Sequence, residues 1–509
     1  MSNGNNKVIY YSEYGAAGDG VTDDFDAIVK THEAANMIAG DVVVRADAGA
    51  SYYIGATGAA DKTAQVQTDT DWGDAEFIID DSKVGYPNEN IFQVSSKLKP
   101  IDFDLAGLTG AAASLKKNQA KIDLPIPDVN GALITVRDKS TMRYIREGLN
   151  QNNGAAQIDI FLVDKDGNVD MNAPIIWDFD NISSMTAHPI DAGTLTVKGG
   201  HFTTIANQAE SRYTYYKRGI SIMRSNVIID GVQHVIKGEG EHGAPYSGFI
   251  GVRQCADVTV RNCRLSGHKT YVTPAGSAGK PVSMGTYDIS VNSSVNVTFK
   301  DCTQINDIHD TELWGIFCSN FSKNILFDTV SFSRFDAHMG VANATVKNSV
   351  IGHVGLNIIG SGTFLVENTK VCGHSMINLR GDYGSTWEGD VIIRNCEFIP
   401  RNGKPGDAVL VRGSYSSEHD FGYTCYMPKK IVIDGLVIDD RNSREGYDGP
   451  RVFGEFNSSY ASEEFEKSQK YPYVITEEVT VRNLEVKSGK SLQVSSNQFM
   501  FRNVKITEK

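Results

Sequence analysis

Proline is scarce in this chain, at 14 of 509 residues, and no run of eighteen apolar residues occurs in it. The second absence excludes a membrane-spanning helix. The first excludes Pro-rich linkers, so turns must be made by other residues. No two cysteines form a Cys-x-x-Cys pair, and all seven fall between Cys255 and Cys425. A zinc site built on paired thiolates is therefore not expected. Positive charge is outweighed: 49 Lys and Arg stand against 62 Asp and Glu, for a net charge of −13. General attraction to nucleic acid or to an anionic membrane is excluded on that ground, although a local basic cleft is not. The opening Met1-Ser-Asn-Gly-Asn-Asn-Lys7 lacks the charged-then-apolar pattern of a secretory signal. That fits an intracellular protein or a mature form with an added Met, and the expectation adopted is the mature form of a secreted or periplasmic protein.

Glycine, by contrast, is plentiful at 49 residues. From about residue 195 onward it joins Asn and Asp in a recurring signature: alternating apolar and polar residues, a small polar corner, then another alternating segment. Instances are Val197-Lys-Gly199, Ile229-Asp-Gly231, Val260-Arg-Asn262, Phe299-Lys-Asp301, Phe327-Asp-Thr329, Val346-Lys-Asn348, Val366-Glu-Asn368, Ile393-Arg-Asn395, Ile433-Asp-Gly435, Val481-Arg-Asn483 and Phe501-Arg-Asn503. The shortest intervals are 19 and 20 residues, the length of one bare coil, and longer intervals add a loop. A further apolar residue follows most corners, as at Leu265, Phe332, Ile351, Val371, Phe398, Ile438, Val486 and Ile506. Alternation around a polar corner means strand, bend, strand. One such unit per coil stacks as a parallel solenoid of about ten or more coils. The corner residues suit left-handed dihedrals. Cys263, Cys302 and Cys396 each follow an Asn or Asp corner, which reads as a buried small apolar slot.

Tyr14-Gly-Ala-Ala-Gly-Asp-Gly-Val-Thr-Asp-Asp-Phe-Asp-Ala-Ile28 resembles the opening motif of the pectate-lyase-like β-helix superfamily, which includes polysaccharide lyases, some glycosidases and phage tailspikes. The resemblance implies an all-β, right-handed parallel β-helix closed at one end by a helix. That helix is expected to be capped by Thr22 or Asp23 and to run to Asn36. It implies little about chemistry, because the fold hosts several reactions.

Residues 100–180 break the repeat and read as an inserted β-rich subdomain between the cap with the first coils (1–99) and the main solenoid (181–509). Ala132-Leu-Ile-Thr-Val-Arg137 and Ile158-Asp-Ile-Phe-Leu-Val163 read as strands, Tyr144 to Leu149 as a short helix, and Asp166-Gly167 as a hairpin turn. Asp164 to Asp170 has the look of a calcium loop but lacks the downstream Glu, so the turn is preferred.

Five of the eleven histidines lie between His268 and His374. Aligning coils on their corners brings His268, Asp307, Arg334, His353 and His374 to one position, and His338, Asn357 and Asn378 to a second. Asp336 is two residues from both Arg334 and His338, so the three share a strand face. The rungs repeat at roughly the length of one sugar unit, about 5 Å, so an extended polysaccharide could lie along such a stripe. His309, Asp310, Glu312 and Trp314 flank it in one loop, and Arg380, Asp382 and Tyr383 begin another. An aromatic ring beside carboxylates is a common sugar platform. Singly, each histidine could be a solvated surface residue, and Asn357 with Asn378 an internal ladder. The clustering of Arg, Asp and His favours a site. Tyr215, Lys217 and Arg218 form a second patch, readable as an anionic-sugar edge or as an exposed loop.

The leading expectation is a polysaccharide lyase acting on a uronic-acid glycan. Arg334 would neutralise the carboxylate, with Asp336 beside it on the strand. His338, His353 or His374 would serve as base, and Tyr383 or a histidine would protonate the leaving oxygen. No metal is expected, with calcium kept as an alternative neutraliser. A glycoside hydrolase using two of Asp307, Asp310, Glu312 and Asp336 is the second reading, and a non-catalytic tailspike-like adhesin the third. The expected partner is a polysaccharide or oligosaccharide, with neither nucleic acid nor membrane, and with monomer and homo-oligomer both open.

Overall fold

The computed structural model describes residues 7–55, 62–105, 114–126 and 130–508. Parallel strands stack in one continuous ladder of fourteen rungs from Lys7–Tyr10 to Lys505–Glu508. The alternation seen in sequence sets its faces. Val197, Ile229, Val260, Phe299, Phe327, Val346, Val366 and Ile393 point inward and are fully buried. A second ladder follows each corner, and a third carries Phe92, Ile220, Ile250, Ile289 and Phe317 inward. The corners are left-handed: φ is +54° at Asn262, +53° at Asp301, +53° at Asn348 and +51° at Asn395. Their side chains link rungs, as where Asn368 Nδ2 donates to Asn348 Oδ1 at 3.2 Å and Asn348 Nδ2 to Asp328 Oδ1 at 2.9 Å. Cys263, Cys302 and Cys396 fill the buried slot expected of them and are unbridged.

The helix α1 (Phe25–Met37) closes the N-terminal end with Phe25, Ile28, His32 and Ala35 turned inward. Its cap differs from expectation. Asp24, not Thr22 or Asp23, is the N-cap residue, and its carboxylate accepts from Ala17 N at 2.6 Å and Gly18 N at 3.1 Å. The acid therefore ties down the Gly-rich turn, while Asp23 accepts from Phe25 N at 3.0 Å. Under the helix, Trp72 Nε1 donates to Tyr11 OH, which meets His32 Nε2, each at 2.9 Å.

The insert folds on an antiparallel sheet of Ile101–Asp102, Ala132–Arg143, Ala155–Val163 and Ser184–Pro189, with its own core around Leu115, Phe161 and Phe179. Its sheet thus reaches past residue 180. The solenoid ignores it: Asp69–Asp80 pairs directly with Leu195–Ile205, and Phe92–Ser95 with Ile220–Met223. Tyr144 to Leu149 is not helical. Ile145 N donates to Phe421 O and Glu147 N to Asp382 O, both at 3.1 Å, so the segment's donors face other loops rather than its own preceding turn. Asp164 accepts from Asp166 N and Asn168 N at 2.9 Å each, and Gly167 takes φ +78°, which is the turn rather than a cation loop. The buried pair Lys323–Asp159, at 2.7 Å, fastens the insert to the solenoid. Among the described residues no helix is long and apolar enough to cross a membrane.

Candidate active site

Between the inward residues of the third ladder, one column faces out. Ser221, Gly251, Ser290 and Cys318 follow each other in register, and Asp336, Asn357, Asn378 and Arg412 continue the line. Ser290, Cys318, Asn357 and Asn378 of this column floor a groove of about 930 Å³, walled by Lys217, Arg253, Arg334, His338, Arg380 and Tyr383. A second outward column, Arg253, Asn292 and Asn320, runs beside it.

Three arginines and two carboxylates interlock at one end. Asp336 pairs with Arg334 and accepts from Arg380 Nη1 at 2.8 and 3.0 Å. Arg380 also grips Asp382 at 2.8 and 3.1 Å, and Arg146 Nη2 reaches Asp382 at 2.7 Å. Burial alone would raise the Asp336 carboxyl, but the Arg334 and Arg380 charges outweigh it and hold it below the usual range. Asp382 is held at about 2 against burial, chiefly by Arg380. The Arg334 guanidinium lies over Trp314, 4.9 Å from the ring centre.

Beside this cluster His338 is fixed at both ring nitrogens. Nδ1 lies 2.9 Å from Asn320 Oδ1, and Nε2 lies 3.2 Å from Tyr383 OH. Because Asn320 Nδ2 donates to Asn292 Oδ1 at 2.6 Å, its Oδ1 is left to accept. The proton of the neutral ring therefore sits on Nδ1, and Nε2 is the acceptor. Burial pulls the imidazole down to about 3, and the Arg380 charge adds to this. Burial pushes the Tyr383 phenol up to about 12, against the pull of Arg146 and Arg380.

The structure brings Arg334, His338, Trp314, Asn357, Asn378, Arg380, Asp382, Tyr383, Tyr215 and Lys217 to one groove, with Asp336 fully buried behind Arg334 and Arg380 rather than lining it. It separates others. His268 is buried, with Nε2 3.0 Å from Asp288 and Nδ1 3.3 Å from Glu239, so its ring has no free nitrogen for a substrate. Arg218 is buried against Asp81 at 2.9 Å and points away from the groove. His353 is not in register with Arg334. Arg334 pairs with Gly355, the strand shifts between Phe332 and Arg334, and the displaced His353 turns its Nδ1 to Ile308 O at 3.0 Å. For the same reason Asn357 and Asn378 align with Asp336 and not with His338. His353 and His374 line an adjoining cavity of about 510 Å³, which shares Asn357 and Asn378 with the groove. Asp307, His309, Asp310 and Glu312 sit in a turn whose carboxylates cap backbone amides, Asp307 to His309 N and Asp310 to Glu312 N, each at 2.9 Å.

No family model and no curated protein matches the chain. Solved structures do. The tailspike gp61 of Pseudomonas phage phi297 aligns over 94% of this chain and 81% of its own, with a TM-score of 0.54 at 12% identity. The tailspike protein gp49 of Pseudomonas phage LKA1 aligns over 98% and 84%, with a TM-score of 0.52 at 12% identity. The fold is a right-handed parallel β-helix. At that identity the likeness concerns the β-helix and no side chain of the groove.

Sequence reasoning missed Arg146, Arg253, Tyr287, Cys318 and Asn320, all in the wall or floor of the groove. Aligning the third ladder on Ile220, Ile250, Ile289 and Phe317 would have exposed Arg253 and Asn320 as outward neighbours. Arg146 arrives from the insert and carries no signal in the coil repeat.

Proposed function

We propose that the protein cleaves a uronic-acid polysaccharide by β-elimination in this groove. The observation that carries the reading is the His338–Tyr383 pair facing a groove walled by Lys217, Arg253, Arg334, Arg380 and Arg146, offset among the described residues by Asp382 in the wall and by the buried Asp336 behind it. A groove with excess cationic charge on a chain of net charge −13 selects an anionic glycan locally. The similar tailspike folds fit an extracellular or surface setting.

In this reading a substrate carboxylate lies against Arg334 and Arg380, which withdraw charge as the enolate develops. The neutral Nε2 of His338 takes the proton from the carbon next to the carboxylate. The C–H electrons form the new C=C bond, the adjacent C–O bond breaks, and Tyr383 OH turns from His338 to give its proton to the leaving oxygen. Calcium is not needed for neutralisation, and Asp336 and Asp382 are committed to arginines rather than free to ligate it. Hydrolysis would need a carboxylic acid protonated near neutrality. Among the described residues the groove offers none, because Asp382 in its wall and Asp336 behind it are both held low.

The test is incubation with a panel of acidic and neutral polysaccharides, following ultraviolet absorbance and new reducing ends together. Reducing ends with absorbance from the new double bond are expected on an acidic glycan. Reducing ends without it would sink elimination and restore hydrolysis, and neither signal would leave the adhesin reading.

A further inference from the structure

The cations of the groove fall into two groups. Arg146, Arg334 and Arg380 are paired with Asp336 and Asp382. Lys217 and Arg253 are not: among the described residues no carboxylate lies within ion-pair distance of either head group. Both are half-buried in the groove wall. Burial disfavours both charges, and at Lys217 the Arg253 charge adds to the penalty. Two like charges held in a groove with no protein counter-charge are a place made for an anion.

Their position along the axis is set by the ladder. Arg253 is in register with Asn292, and Asn292 with Asn320, whose side chain holds His338. His338 lies on the strand after that of Asn320, so Arg253 stands three rungs from it, about 14 Å at the strand spacing. Lys217 precedes Ile220, one rung further on. Three to four rungs match three to four sugar units.

We infer that Lys217 and Arg253 form a second anion subsite, which holds a carboxylate of the same glycan three to four sugar units from the one that reacts. The inference rests on the elimination reading for the identity of the reactive end, but the binding it describes stands by itself. It makes the substrate acidic at more than one position, either as a polyuronate or as a repeat carrying an acid every third or fourth sugar. It also makes longer oligomers bind more tightly than dimers.

The experiment is equilibrium binding by calorimetry of two-unit and six-unit oligomers of mannuronate, galacturonate and glucuronate, with neutral six-unit oligomers as controls. It uses the full chain carrying His338→Ala to keep ligands intact. For at least one uronate the hexamer should bind more tightly than the dimer. The double substitution Lys217→Gln with Arg253→Gln should weaken the hexamer by about tenfold to a hundredfold, and the dimer by less than about twofold. Lys217→Arg in place of Lys217→Gln should restore most of the hexamer affinity, which a merely misfolded groove would not do. Equal loss for dimer and hexamer, no loss for either, or no gain from dimer to hexamer in the parent would each overturn the subsite. If the length dependence and its loss are seen while no double-bond absorbance ever forms with the native chain, the subsite stands and the elimination reading falls.

Discussion

At the scale of the residue, function in this molecule turns on which charges are compensated. His338 has two carboxylates, three arginines and a phenol around it, and its burial leaves the imidazole neutral across the physiological range. Tyr383→Phe and His338→Ala should each lower kcat by about a hundredfold to ten-thousandfold. A measured kcat within threefold of native for both would place the chemistry elsewhere. The pH profile follows from the same environment. With His338 held at about 3 and Tyr383 raised to about 12, neither group changes charge between them. The free-enzyme profile of kcat/KM should therefore lack the acid limb near 6.5 that an ordinary histidine gives. A clear limb there would show that His338 is not the base. Arg334 is a poorer target than sequence suggests, since removing it also strips a partner from the buried Asp336. Arg334→Lys is the cleaner probe.

At the scale of the element, stability lies in the corners and in the polar contacts between rungs. Thr329 holds φ +58°, a β-branched residue where the neighbouring coils carry Asn348 and Asn368. The left-handed backbone is unfavourable there, so Thr329→Asn should stabilise the fold by about 1 kcal/mol, read as a rise in the urea midpoint. A drop in midpoint would mean that the threonine makes contacts worth more than its strain. Between coils, His268 bridges Asp288 and Glu239, and His234 meets the same Asp288 at 2.7 Å. Burial alone would lower the His268 ring, but the two acids outweigh it and raise it to about 9. Its folded value lies above the unfolded value of about 6.5, so its contribution is complete below that value and is lost as pH rises through 9. The Tm difference between native and His268→Gln should therefore narrow from pH 6 to pH 10. A difference that stays constant over that range would contradict the assignment.

At the scale of the whole molecule, a solenoid whose coils contact only their neighbours carries one appendage that does not belong to its repeat. The insert reaches the groove through Arg146 and is held by Lys323 and Asp159, each with about 1% of its side chain exposed. Replacing one partner leaves a buried charge alone. Lys323→Met should cost about 3–5 kcal/mol, and Lys323→Met with Asp159→Leu much less, because the second change removes the orphan. Urea denaturation of the single and double variants checks this. If the double variant is as damaged as the single, the pair does more than neutralise itself.

The sequence by itself determined the solenoid. Alternation fixed which side chains face inward, Asn, Asp and Gly corners fixed where each coil bends, and the Gly-rich opening fixed that a helix starts it, though not that Asp24 caps that helix. These are local properties, repeated, and each is written in neighbouring residues. It also brought Arg334, Asp336 and His338 to one strand and flagged Arg380, Asp382 and Tyr383 beside them. The rest was decided in three dimensions. A shift of register near Gly352 took His353 off the line and put Asn357 behind Asp336, which no spacing count could reveal because a bulge leaves the apolar pattern intact. Whether His268 and Arg218 faced the groove or the interior depended on partners twenty or more residues away, Asp288 and Asp81. Arg146 entered the site from an insert with its own core. Charge compensation is a property of what packs together, and packing across coils is not recorded in the order of the chain.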